Sequence, residues 1–241
     1  MRPLPQKTIG LLGGCSNVAT VEYYKRINAE VNRRLGGWDI AETLIAGMNF
    51  GDVEALLRAD DWETLTRLVD KHVRRLVVSG ADVILCASNT LHRALDEIMA
   101  GEPTPMIHIA DPTGAAIQAQ GLRRIALFGT APVMSQPYLR QRYASRFGLD
   151  ILVPGEAEQA EIHRIIFEEL VKDDVRAESR ATYLEILDRM VREDGAEGVI
   201  LGCTEIFLLL RPEDRPGLPM FDTTALHCRA AVDFALGEEA R

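Results

Sequence analysis

The sequence predicts an α/β fold with two similar domains, each a parallel sheet flanked by helices, related by pseudo-twofold symmetry. Three observations support this prediction. Short apolar runs alternate with longer amphipathic runs, the pattern repeats at an offset of 115 or 116 positions, and the chain has 241 residues. That length accommodates two domains of about 120 residues. A hydrophobic content of 47% is sufficient for a core in each.

The short apolar runs have the length and composition of buried strands. They lie at residues 8–12, 42–48, 83–85, 106–109, 124–128, 150–153, 198–201 and 220–221. Strands rich in Val, Ile and Leu that are separated by helices are typical of parallel sheets. Such sheets bind their ligands at the carboxyl ends of the strands, so the residues directly after each run are the candidates for function.

The amphipathic runs between the strands predict helices. They lie at residues 18–35, 62–79, 90–99, 112–119, 137–147, 156–170, 177–194 and 223–236. The glycine-rich stretch GLLGG at 10–14 has neither dinucleotide-binding spacing nor a phosphate-loop lysine. It therefore predicts a tight turn between the first strand and the first helix.

Two pairs of segments define the internal repeat. TIGLLGG at 8–14 aligns with RIALFGT at 124–130, and GADVIL at 80–85 aligns with GAEGVI at 195–200. A near-constant offset over separate segments predicts a duplicated unit. We expect residues 1–113 and 220–241 to form the first domain and residues 114–219 the second.

The repeat also pairs two polar turns. An ungapped shift of 115 places Cys203 on Ser88, Thr204 on Asn89 and Glu205 on Thr90, whereas a shift of 116 places Cys203 on the alanine before Ser88. Neither shift places Cys203 on Cys86. The first half therefore carries a hydroxyl where the second carries a thiol, and Cys86 is expected inside its strand.

Composition excludes several classes of function. The net charge of −9 argues against broad nucleic-acid binding, and no apolar run is long enough to span a membrane. The N-terminal residues lack the pattern of a signal peptide, so a cytoplasmic location is expected. No cysteine or histidine pair has zinc-site spacing, so no metal site is predicted, and the four cysteines are expected to be free thiols.

Two equivalent turns that face one cleft predict a specific chemistry. A group on each side can remove a proton from one face of a carbon and return it to the other, which inverts the stereocentre. A thiol at a helix start, such as Cys203, is expected to have a lowered pKa. Backbone N–H groups and the side chains of Asn89, Thr90 and Thr204 can hold a carboxylate.

Five stretches resemble the aspartate/glutamate racemase family. They are GGCS at 13–16, YYKRIN at 23–28, NTLH at 89–92, LFGT at 127–130 and LGCTE at 201–205. The resemblance implies an isomerase that racemises an amino acid without pyridoxal phosphate or another cofactor, in a cleft between two α/β domains, commonly as a homodimer. It also implies that Cys203 and Ser88 are the acid/base residues.

Further site residues follow from the resemblance. Asn89, Thr90, Thr130 and Thr204 are expected to hold the α-carboxylate, with Asn49 and Glu205 as additional candidates.

The sequence departs from the family pattern in three places. Many relatives carry a cysteine where this chain has Ser88, which is a poor base unless a neighbour such as His92 activates it. Relatives that act on acidic amino acids place a polar or basic residue near Leu57 and a lysine near Glu161. A substrate with a neutral or cationic end is therefore predicted, unless a cation such as Arg58 or His163 neutralises Glu161.

Two alternatives stay open at this point. A one-thiol relative could act as a decarboxylase, lyase or isomerase through a similar carbanion, since it needs only one strong proton donor. A non-catalytic protein could use the same turns to bind a small carboxylate.

Overall fold

The computed structural model describes residues 6–237, in which the chain divides into two compact units. The first unit runs to Ile109 and resumes at Thr224, and the second is Ala110–Thr223. The predicted boundaries, after residue 113 and before residue 220, each lie four residues inside the second unit.

The first unit alternates strands and helices in the order that the sequence predicts. Its elements are β1 (Ile9–Gly13), α1 (Asn17–Leu35), β2 (Thr43–Gly47), α2 (Phe50–Arg58), α3 (Trp62–Val78), β3 (Val83–Cys86) and α4 (His92–Ile98). Of these, α2 has no counterpart among the predicted elements.

The second unit repeats the alternation, and the chain then returns to the first. The elements are α5 (Ala110–Ala119), β4 (Arg124–Phe128), α6 (Ala131–Ser135), α7 (Pro137–Phe147), β5 (Asp150–Leu152), α8 (Glu156–Glu168), α9 (Ala177–Glu193), β6 (Gly198–Leu201), α10 (Ile206–Leu209), β7 (Met220–Asp222) and α11 (Thr223–Leu236). Two short 3-10 helices occur at Leu170–Lys172 and Pro212–Asp214. Among the described residues no helix is both long and apolar enough to span a membrane.

Both sheets are parallel, and their strand orders correspond. The first has the order β2-β1-β3 and the second β5-β4-β6-β7. The counterpart of β7 in the first unit is one parallel bridge, between Ile84 and Met106. The α/β prediction with two parallel sheets flanked by helices is confirmed.

The predicted strand at 106–109 is wrong beyond that bridge. The Ile107 carbonyl and the Ile109 N–H bond to the side chains of His227 and His92 instead of a neighbouring strand. The pairing with β3 is limited to two bonds, from the Ile84 N–H to the Pro105 carbonyl and from the Ile107 N–H to the Ile84 carbonyl. Histidines satisfy the main-chain groups beyond them, and helix α5 begins directly after the segment.

The duplication extends to individual hydrogen bonds. The N–H of Ala87 donates to the Leu12 carbonyl (2.9 Å), and the N–H of Gly202 donates to the Phe128 carbonyl (2.6 Å). These two bonds are related by the same offsets of 115 and 116 that relate the sequence segments. Each fixes the residue that follows the β3 or β6 strand against the neighbouring strand of its sheet.

The core of the first unit has two faces because side chains alternate along the strands. Ile9 and Leu11 pack with α1 and α11, whereas Leu12, Ile84 and Cys86 pack with α3 and α4. Cys86 is fully buried inside β3, as expected.

The glycine-rich stretch at the end of β1 forms a tight turn. Gly14 has a φ of +81°, and a Cβ there would lie 2.1 Å from the Met48 carbonyl oxygen. Only glycine fits such a position. Its N–H donates to the Thr20 hydroxyl (2.9 Å), which fixes the turn into α1.

Candidate active site

Cys203 lies two residues beyond the end of β6, where a close backbone approach fixes the turn. A Cβ on Gly202 would lie 2.7 Å from Leu127 Cδ1 and 2.8 Å from the Phe128 carbonyl oxygen. Glycine is therefore required immediately before the thiol. The Cys203 side chain is partly buried.

A buried carboxylate accepts from two neighbouring side chains in this turn. Cys203 Sγ donates to Glu205 Oε2 at 3.0 Å, and Thr204 Oγ1 donates to the same oxygen at 2.8 Å. Glu205 is 2% exposed. The thiol, the hydroxyl and the carboxylate therefore form one hydrogen-bonded group.

This environment keeps the thiol protonated. Desolvation raises the pKa of Cys203 well above its usual value, and the adjacent negative charge of Glu205 raises it further. The expected lowering by a helix start is wrong, because α10 is only four residues long and its N-terminal residue follows a carboxylate. Both effects favour the protonated thiol over the thiolate.

Ser88 occupies the equivalent place in the first unit, two residues beyond the end of β3. Its Oγ accepts a hydrogen bond from the Leu91 N–H at 3.4 Å. Asn89 and Thr90 follow it and are 4% and 6% exposed. A hydroxyl and two further polar side chains thus occupy one turn before α4.

His92 contacts the main chain of Ser88 and not its hydroxyl. Its Nδ1 lies 2.7 Å from the Ser88 carbonyl oxygen, and its Nε2 accepts from the Ile109 N–H at 3.2 Å. The expectation that this imidazole activates the serine as a base therefore has no support in the geometry.

Thr130 follows β4 and precedes α6, and the next residue contacts a histidine of α8. The Ala131 N–H donates to His163 Nδ1 at 3.2 Å, so the neutral imidazole carries its proton on Nε2. Desolvation lowers the pKa of His163. This contact was not predicted, since it joins helices far apart in sequence.

Glu161 is paired with a cation from its own helix. Arg164 donates to Glu161 Oε1 at 2.7 Å and to Oε2 at 2.9 Å. This bidentate contact lowers the pKa of Glu161. The cation beside Glu161 is thus Arg164, three residues along α8, a spacing at which helical side chains meet. Its guanidinium also donates to Glu168 and Glu169. Arg58 instead pairs with Glu54.

The remaining two candidates lie after β2, on the far side of β1 from β3. Asn49 is exposed and precedes α2, while Leu57 is partly buried on α2 and packs against the core face that contains Cys86. Hence the structure groups Ser88, Asn89 and Thr90 in one turn and Cys203, Thr204 and Glu205 in another. Thr130 follows β4, the direct neighbour of β6.

Known proteins are similar to this chain over most of its length. Residues 12–231 match the family model described as Asp/Glu/Hydantoin racemase. A crystal structure from Yersinia pestis, provisionally assigned as an Asp/Glu racemase, is 37% identical, with a TM-score of 0.86 over 95% of this chain and 99% of that one. An aspartate racemase homologue from Pyrococcus horikoshii is 30% identical, with a TM-score of 0.80 over the same shares.

A more distant structure shares the fold. The aspartate racemase from Picrophilus torridus is 18% identical, with a TM-score of 0.75 over 98% of this chain and 96% of that one. The match of the family model covers most of the chain, and both turns described above lie inside it. The chain therefore belongs to the Asp/Glu/hydantoin racemase family and is an isomerase, a racemase of amino acids.

Proposed function

We propose that the enzyme inverts the α-carbon of an amino acid by two-base proton transfer, with Cys203 and Ser88 acting on opposite faces. One observation carries the proposal. Both residues stand two positions beyond the ends of equivalent strands, and the residue before each makes the same hydrogen bond, from Ala87 to Leu12 and from Gly202 to Phe128.

The Cys203 turn supplies the stronger acid/base pair. In one direction Ser88 Oγ gives its own proton to water and removes the α-proton, and the Cys203 thiol gives its proton to the opposite face of the carbanion. The resulting thiolate then regains a proton from solvent. In the other direction the thiol proton passes to Glu205 Oε2, 3.0 Å away, and the thiolate then removes the α-proton. The Ser88 hydroxyl gives a proton to the opposite face and is reprotonated by water.

The polar side chains around both turns are suited to hold the α-carboxylate. Asn89, Thr90, Thr130 and Thr204 supply the donors in this proposal. Exposed Asn49 is a further donor, and Glu205 acts through Cys203 and Thr204 because its carboxylate already accepts from both.

One contact of α8 weakens the charge argument against an acidic substrate. The expectation of a neutral or cationic end depended on an unpaired Glu161, and Arg164 pairs with that carboxylate at 2.7 Å. His163 adds an Nε2–H donor beside the residue that follows Thr130. We therefore propose aspartate or glutamate as the substrate class, with Leu57 packed in the core rather than selecting the substrate.

Deuterium exchange with both enantiomers tests the mechanism. Incubation of each enantiomer in deuterated water should give exchange with inversion in the wild type. Cys203→Ala should abolish inversion while the protein still binds substrate. Ser88→Ala should block inversion but leave exchange with the enantiomer whose α-hydrogen faces Cys203. Near-full activity of Cys203→Ala, or equal exchange with both enantiomers in Ser88→Ala, would contradict the two-base proposal.

The raised pKa of Cys203 favours a second candidate function, decarboxylation. In that reaction the thiol would act only as an acid, protonating the carbanion that remains after carbon dioxide has left. Carbon dioxide release from an amino-acid or dicarboxylate substrate, without inversion, would identify that reaction.

Action without pyridoxal phosphate, assembly as a homodimer and a cytoplasmic location complete the proposal. Light scattering of the purified protein tests the dimer. A purified sample that is active and has no absorption near 420 nm supports action without the cofactor.

A further inference from the structure

The buried imidazole of His92 contacts both the Ser88 turn and Ile109, the last residue of the first unit before the chain enters the second. His92 is 0% exposed. Its Nδ1 lies 2.7 Å from the Ser88 carbonyl oxygen, and its Nε2 lies 3.2 Å from the Ile109 nitrogen. Both of these contacts are to main-chain atoms, so they fix the positions of two backbone segments.

The chemistry of these two contacts fixes the tautomer. A backbone N–H only donates, so Nε2 of His92 accepts from Ile109 and carries no proton. A carbonyl only accepts, so Nδ1 carries the proton and donates it to Ser88. The imidazole is therefore neutral, and a second proton on it would oppose the Ile109 N–H.

The segment that anchors His92 is itself held by a second buried histidine. His227 Nε2 donates to the Ile107 carbonyl at 2.8 Å, and its Nδ1 accepts from the Tyr23 hydroxyl at 2.9 Å. Both side chains are 0% exposed. These hydrogen bonds, joined by the backbone of residues 107–109, thus connect helix α1, through His227 and His92, to the Ser88 turn.

We infer that His92 is a positioning residue for the Ser88–Asn89 peptide, on which Ser88 depends for its place beside the substrate. The inference rests on the proposed function, because that proposal assigns the second proton transfer to Ser88. The hydrogen bond from Nδ1 holds the peptide plane and hence the direction of Ser88 Oγ. It also polarises the peptide, which makes the Asn89 N–H a better donor to a carboxylate.

Two amide substitutions separate the contacts of His92. The side-chain nitrogen of Asn lies as many bonds from Cα as Nδ1, so His92→Asn keeps the donor to Ser88. His92→Gln reaches the place of Nε2 and keeps only the acceptor for Ile109. Exchange from the Ser88 face should stay within about threefold of the wild type in His92→Asn and fall roughly 10- to 100-fold in His92→Gln.

Several readouts distinguish positioning from mere stability. Exchange from the Cys203 face should change little in either variant, and the pH profile of the remaining Ser88-face exchange should keep its shape. Loss of one ionisation from that profile would instead make His92 a base. Equal activity of the Gln and Asn variants at matched melting temperatures would overturn the inference.

Nitrogen-15 NMR of the wild-type enzyme tests the same inference without relying on folded variants. The His92 ring should give the signals of a neutral imidazole protonated at Nδ1. A ring protonated at Nε2, or at both nitrogens, would overturn the positioning role. Failure of the proposed function gives a different result, since Ser88→Ala would then leave inversion intact while the tautomer stays as described.

Discussion

At the scale of single residues, burial and one neighbouring carboxylate determine the pKa of Cys203. Burial and the Glu205 carboxylate both raise the pKa of the thiol. The carboxylate is also the nearest described acceptor for the thiol proton, at 3.0 Å. Glu205 therefore favours the protonated thiol, and in the proposed mechanism it receives the thiol proton when a thiolate is required.

Glu205→Gln should lower the pKa of Cys203, because it removes a negative charge beside the thiolate while burial remains. Titration of thiolate absorbance at 240 nm should show the transition at lower pH than in the wild type. Cys203→Ala identifies the part of the signal that belongs to this thiol, and Glu213→Gln, at an exposed surface acid, serves as the control. A transition that stays in place, or moves to higher pH, would show that the carboxylate does not act on the thiol.

At the scale of elements, the end of β6 depends on close packing of the backbone. Gly202 follows β6 and contacts β4 through its N–H, whereas Gly47 ends β2 and has open space at its Cβ position. The two glycines thus provide a matched pair for the role of packing at a strand end.

Gly202→Ala should destabilise the protein by about 1–3 kcal/mol and reduce activity, because the new methyl group would contact the Phe128 carbonyl and displace Cys203. Gly47→Ala should change the free energy of unfolding very little, since no atom lies within 4 Å of its added Cβ. Urea denaturation followed by circular dichroism measures both. If Gly202→Ala left both the free energy of unfolding and the activity unchanged, the backbone at the strand end would be able to accommodate the added methyl group.

Helix α8 offers a second test at this scale, through the Glu161–Arg164 pair. Arg164→Gln leaves the Glu161 carboxylate without this partner and should lower kcat/KM for glutamate relative to glutamine by roughly tenfold. Adding Glu161→Gln to the same variant should restore the wild-type ratio. Arg164 also contacts buried Glu169, so melting temperatures must accompany the kinetics. An unchanged ratio would place the substrate side chain away from Glu161.

At the scale of the whole molecule, the sequence predicted the repeated architecture well. The offset of 115 or 116 positions reappears in the pairing of strands and in the hydrogen bonds of Ala87 and Gly202. The apolar pattern was sufficient because buried parallel strands require it. The strand predicted at residues 106–109 does not form beyond its one bridge, because main-chain groups of this segment bond to His92 and His227. These histidines lie on other elements, so the local apolar pattern does not reveal the contacts.

The candidate site was less predictable than the fold, because its electrostatics depend on side-chain direction. The position of Cys203 followed from the alignment of the repeat, but its raised pKa depended on burial and on Glu205 turning toward the sulfur. Likewise, the sequence offered Arg58 and His163 as cations for Glu161, whereas the structure pairs it with Arg164. The spacing of residues in the sequence locates such ionisable side chains but does not define their hydrogen-bond partners.

The repeat leads to a prediction about the whole enzyme. Exchanging the two residues, as Ser88→Cys with Cys203→Ser, moves the thiol to the other half. The enantiomer that exchanges deuterium faster should then be the opposite one. The rate should be lower than in the wild type, since the repeat aligns Thr90 with Glu205 and the moved thiol lacks an adjacent carboxylate. The same enantiomeric preference in both proteins would contradict equivalence of the two turns.

The hydrogen bond from Cys203 to Glu205 has a further consequence for reactions with electrophiles. Alkylating agents and peroxides attack thiolates, so a thiol held in its protonated form reacts slowly. We therefore expect the Cys203 sulfur to be oxidised slowly while no substrate is bound. Covalent inhibitors aimed at this cysteine would need to displace the proton first, and compounds that carry their own basic group beside the reactive carbon should modify it faster than simple haloacetamides.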